Sequence, residues 1–137
     1  MRRLAFLLAH HYPEEYDRCY RVGRVHVCAR CAGLYPALFA TLGLALRGQL
    51  ATVRAEWAVL YLLPLPALFS WARRRLTGAP GSNPVATLTG VLLGIALGRG
   101  LFLYLRDPRA PAFWVQLAGL AAVVVAVELL RAIRRAP

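Results

Sequence analysis

Four apolar stretches separated by arginine-bearing loops dictate what this chain can become. They run from Cys31 to Leu46, Ala55 to Ala72, Pro84 to Leu105 and Ala110 to Leu130. A helix needs about 20 apolar residues to cross a bilayer, with a range of roughly 17–25. The third and fourth stretches meet that length. The second carries Pro64 and Pro66, which break or kink a helix and free backbone carbonyls that then need internal partners. The first is short and spans only if it extends through Gly48 and Leu50 or meets a thinned bilayer. The expectation is an all-α membrane protein. A cytoplasmic Cys/His knuckle and interfacial segment (residues 1–32) precedes a bundle of about four transmembrane helices (residues 33–137).

Charge then orients the bundle. The chain is 59% hydrophobic and 17% charged, yet its net charge is +11. That much apolar content excludes disorder. It also argues against a soluble nucleic-acid binder, because 137 residues make a domain too small to hide so much apolar surface. All 17 basic residues are Arg. An even number of spans puts both termini on one side. That side takes Arg2, Arg3, Arg18, Arg21, Arg24, Arg30, Arg73, Arg74, Arg75, Arg131, Arg134 and Arg135. The other side takes Arg47, Arg54, Arg106 and Arg109, with Arg99 the fifth at most. Positive charge in short loops stays cytoplasmic. The prediction is a multi-pass protein of the inner (cytoplasmic) membrane with both termini in the cytoplasm, its arginines against anionic lipid head groups.

The N-terminal stretch Leu4–Ala9 is apolar but shorter than the usual ~7–15 residues of a signal peptide core, and no small-x-small cleavage site follows. It reads as a short helix lying on the membrane surface. Glu14, Glu15 and Asp17 hold three of the six acids and balance nearby arginines.

All three cysteines, Cys19, Cys28 and Cys31, fall within 13 residues. His10 and His11 lie just upstream, and His26 lies between. The C-x-x-C spacing of Cys28 and Cys31 lets two sulfurs grip one ion from a tight turn, and Gly23 can reverse the chain to bring Cys19 back. With His10 or His11 as fourth donor this makes a Cys3His zinc site. In the reducing cytoplasm, clustered cysteines read as metal-binding or catalytic before they read as a disulfide. A redox C-x-x-C pair and unliganded thiols packed as small hydrophobes are the competing readings. His26 alternates with Val25 and Val27 and reads as an exposed strand residue.

The run Cys28-Ala29-Arg30-Cys31-Ala32-Gly33-Leu34-Tyr35 resembles the C-A-R-C-x-G-[IL]-Y motif of an uncharacterised family of small prokaryotic membrane proteins, a domain of unknown function. His10, Pro13 and Glu14 sit where that family has a His and a Pro-Glu pair. Ser82-Asn83-Pro84 leading to Leu88-Thr89-Gly90 is similar to its S-N-P block ending in T-G. The resemblance covers roughly residues 10 to 95. It implies a four-span membrane protein and no known activity. The chain departs from it at Ala9, where the family often has Cys. It departs again at Ala86, where the family usually has Arg, and around Ser70, where it has an acid.

Charges inside membrane spans are functional candidates by default. Arg99 is roughly 22 Å along the third stretch and Glu128 roughly 27 Å along the antiparallel fourth, so they lie at opposite depths and cannot pair. The expectation is that Arg99 snorkels outward and Glu128 meets Arg131 or Arg135 locally. Gly90, Gly94 and Gly98 form two overlapping G-x-x-x-G motifs, a close-packing face within the bundle or between protomers of a homo-oligomer; Gly33 and Gly43 lie outside their register. Trp57, Tyr61, Trp71, Tyr104 and Trp114 read as interfacial anchors. No nucleophile–base pair, H-E-x-x-H or phosphate-cradling loop is visible, so an enzyme is not favoured. The leading reading is a membrane protein with a structural or regulatory zinc on its cytoplasmic face. The alternatives are a small metal or solute carrier using the same site, and a membrane thiol enzyme using the C-x-x-C pair.

Overall fold

The computed structural model describes residues 18–23, 25–50 and 54–135. His10, His11 and the Leu4–Ala9 stretch lie outside them. An antiparallel hairpin, β1 (Cys19–Val22) and β2 (Val25–Cys28), leads directly into helix α1 (Ala29–Leu46). A π-helical stretch (Ala58–Leu62) and helix α2 (Leu65–Thr77) follow. Two long helices, α3 (Asn83–Arg106) and α4 (Pro111–Arg135), complete the chain. Among the described residues, α1, α3 and α4 are each long and apolar enough to cross a membrane. The first span starts at Ala29, two residues ahead of the apolar stretch, because the hairpin hands its last residue straight to the helix.

The second stretch breaks where its prolines predict. It is helical from Glu56 onward but passes through a π turn, and Leu63 N–H donates to Ala58 O at 3.3 Å. The path stays right-handed through Leu63 and Pro64, so the two pieces form one broken run. The cause is Pro64. It has no N–H to offer Leu60 O, four residues back. Gln116 of α4 takes that role, donating Nε2 to Leu60 O at 3.1 Å and to Ala96 O of α3 at 3.1 Å. One buried amide thus joins three elements and satisfies a carbonyl that lipid could not.

The glycine stripe is spent inside the chain. A Cβ at Gly90, Gly94 or Gly98 would clash with the backbone carbonyl of Arg30, Leu34 or Leu38, one helical turn apart along α1. Gly33 answers from the other side, where a Cβ would meet Thr87 O. Gly33 therefore belongs to this interface although its register on the sequence gave no hint of it. Of the two uses read for Gly90, Gly94 and Gly98, packing within the bundle is the one that α1 takes up.

Arg99 also departs from expectation. It is 2% exposed and does not reach outward. Its Nε donates to Glu56 Oε1 at 2.8 Å and its Nη2 to Glu56 Oε2 at 3.1 Å, while Nη1 donates to Leu50 O. Its guanidinium stacks on Phe102, 5.0 Å from the ring centre. Helix α3 continues to Arg106, which leaves Arg99 about 10 Å short of the helix end. Glu128 meets Arg131 at 3.8 Å, as the local reading has it, but its closer partner is Arg75 of α2 at 2.6 Å. Of the aromatic anchors, Trp57 stacks on Tyr61 and Tyr104 packs on Phe113 and Trp114.

Candidate functional site

The site starts at Gly23, whose φ of +61° reverses the chain at little cost because glycine has no Cβ. The hairpin register sets Cys19 opposite Cys28 and Arg21 opposite His26. Strand alternation then puts Cys19, Arg21, His26 and Cys28 on one face of the ribbon. Cys28 precedes α1 with an extended backbone, φ −55° and ψ 127°, and Cys31 lies in the first turn. The Cys31 thiol is hydrogen-bonded with Cys28, and Cys19 is near enough to act on it electrostatically. Cys19 and Cys28 are buried, and no disulfide joins the three. His26 is half-buried, not the exposed strand residue anticipated.

The structure pairs Cys19 with Cys28 and sets Cys31 beside Cys28. Their predicted partners His10 and His11 lie outside the described residues. Among the described residues, no group of three or more His, Cys, Asp or Glu is placed to hold a metal ion, Cys19, Cys28 and Cys31 included.

Thr87, the anchor between hairpin and bundle, comes from α3. Its single hydroxyl hydrogen is shared between Ala29 O at 2.9 Å and Asn83 O at 3.0 Å, and the oxygen lies 3.0 Å from the Tyr20 hydroxyl. This polar knot fixes the hairpin to the ends of α1 and α3.

Beside the cysteines the bundle is indented by two half-open cavities. A cavity of about 230 Å³ is lined by Arg18, Cys28, Cys31, Trp71 and their neighbours. Across Arg30, Arg74 and Ala86, which line both, lies a second cavity of about 410 Å³. Arg30 Nη2 donates to Ser70 Oγ at 2.8 Å, and that hydroxyl donates to Ala67 O at 3.0 Å. Ser70 and Ala86 both line this cavity.

Several residues here escaped the sequence. Arg30 sits inside the C-A-R-C motif and Arg74 inside the Arg73–Arg75 run, where both read as topology signals. Tyr20, Ser70, Glu56 and Gln116 carry no local pattern. Their partners stand 40 to 67 residues away, apart from the 20-residue Gln116–Ala96 bond.

A bundle of membrane-length helices closed at one end by a cysteine-bearing hairpin is a small helical membrane protein. Residues 15–100 match the family described as "Predicted membrane protein (DUF2085)", and with well over half of its length covered, the chain belongs to that family. No curated protein and no solved structure matches it.

Proposed function

We propose that the hairpin is a zinc clamp on the cytoplasmic face of a multi-pass inner-membrane protein. Cys19, Cys28 and Cys31 supply three thiolates and His10 or His11 the fourth donor of a tetrahedral Cys3His site. The observation that carries this reading is the hairpin register, which sets Cys19 across from Cys28, with Cys31 in the first turn of α1 beside Cys28. Binding would draw Cys19 in and tie the segment upstream of residue 18 to the bundle through the Thr87 knot. Thiolates select zinc over magnesium or calcium. The orientation rests on the arginine bias, which also sets loop and tail arginines against anionic head groups.

Elemental analysis of the purified protein tests the clamp. One zinc per chain is expected, lost in Cys28→Ser and Cys31→Ser and reduced in a His10→Ala, His11→Ala double variant. Metal-free wild-type protein of unchanged stability refutes it. If its thiols are also rapidly alkylated, the C-x-x-C pair reads as a thiol enzyme instead.

A further inference from the structure

We propose that the 410 Å³ cavity between α1, α2 and α3 binds a phosphate group presented by a membrane phospholipid. The proposal does not rest on zinc, and it goes beyond diffuse contact between surface arginines and lipid.

Arg30, Arg73 and Arg74 all line this cavity, and Ser82 adds a hydroxyl, those of Ser70 and Thr89 being given to backbone carbonyls. Among the described residues, none of the three arginines is paired with a carboxylate; the ion pairs there belong to Arg75, Arg99 and Arg131. Arg30 is half-buried and spends one N–H on Ser70, so four of its five donors face elsewhere. Arginine is the side chain best matched to phosphate oxygens, through paired parallel N–H bonds. Like charges gathered in a half-open pocket without acids repel one another, and a bound phosphate group reduces that repulsion. The volume suits a small ligand or a lipid head group.

The walls decide between a lipid and a free anion. Phe69 of α2 is 72% exposed and Val85 of α3 is 52% exposed, and both line the cavity. One helical turn deeper, Leu65 and Leu88 continue the same apolar surface, 50% and 62% exposed. A soluble phosphate would leave this surface unused. A phospholipid would seat its phosphate on the arginines and run its acyl chains past Phe69 and Leu88.

Gly81 gives an independent handle. A Cβ there would collide with the Arg74 guanidinium. That group is the end of a flexible side chain, so Gly81→Ala displaces it and leaves the backbone in place.

The test titrates full-length protein in neutral detergent with dihexanoyl phosphatidylglycerol, dihexanoyl phosphatidylcholine and inorganic phosphate in parallel. Saturable binding of the anionic lipid at one per chain is expected. It should weaken about tenfold in Arg30→Gln and in Arg74→Gln, the loss expected of a charge-assisted hydrogen bond. Gly81→Ala should weaken it severalfold with an unchanged unfolding midpoint. Arg109→Gln and Arg134→Gln, outside the cavity, should leave it unchanged. Equal losses from Arg134→Gln and Arg74→Gln would mean diffuse surface charge and overturn the cavity site. Inorganic phosphate binding as tightly as the lipid would overturn the lipid as its source.

Discussion

Helices α1 and α4 both belong to the bundle, but they are attached to it by opposite means. Helix α1 lies backbone to backbone on α3, with Gly90, Gly94 and Gly98 each facing an α1 carbonyl. Helix α4 leaves most of its apolar side chains exposed, including Val115, Val125, Leu129 and Ile133, and is pinned at separated polar points. Gln116 bonds Leu60 O and Ala96 O, Ala112 O accepts from Tyr61, and Glu128 meets Arg75. In lipid, apolar surface gains nothing by leaving one hydrocarbon environment for another. Association then comes from close packing or from interhelical hydrogen bonds. This molecule uses the first for α1 and the second for α4. The contrast predicts that α1 tolerates no bulk at its seam, while α4 tolerates almost any apolar change except at its pins.

Gly94→Val should be the most damaging change. The added carbons meet backbone that cannot swing aside, and the cost should reach about 3 kcal/mol, the upper end of overpacking penalties. Denaturant unfolding in detergent measures it. Glu56→Gln should cost a similar amount, about 3 kcal/mol, by stranding the buried Arg99 guanidinium without its countercharge. Adding Arg99→Met in the same chain should restore much of the loss, which separates a stranded charge from simple loss of packing. Gln116→Leu should cost about 2 kcal/mol, because the Leu60 carbonyl facing Pro64 loses its side-chain donor and the buried tie to Ala96 O is lost with it. Its effect should appear first as loosening of α4, read by hydrogen exchange, with α1 and α3 unmoved. Arg75→Gln should cost less than about 1 kcal/mol, since that pair is exposed and screened by salt. A cost from Gln116→Leu above that from Gly94→Val would reverse the contrast between packed and pinned helices.

Much of this fold was legible in the residues, because it follows from length and spacing. The long apolar stretches that became α3 and α4, the four-residue glycine interval, and the Cys28–Cys31 turn are local patterns with local physical causes. The break at Pro64 was legible as a need, a carbonyl without a donor, but not as an answer. Gln116 is one amide in an apolar helix, and nothing nearby in sequence says that it faces Leu60. Arg99 was misplaced for the same reason. Its height along α3 was readable from helical rise, but its partner Glu56 lies 43 residues earlier, on a broken segment whose approach to α3 only the fold determines. At the candidate site, the cysteines announced themselves by clustering. The cavity arginines did not, because a basic run before a loop is also what membrane orientation requires.

The zinc clamp is tested most directly by hydrogen exchange on the intact protein in neutral detergent, with and without a strong chelator. The tightly packed α1–α3 seam serves as the internal reference. Chelation should speed exchange across Cys19–Cys28 by at least about tenfold, because a structural zinc contributes folding energy to the segment it holds, and should leave Gly90–Gly98 unchanged. Identical exchange in the hairpin before and after chelation, in protein shown to carry no zinc at the outset, would contradict the account.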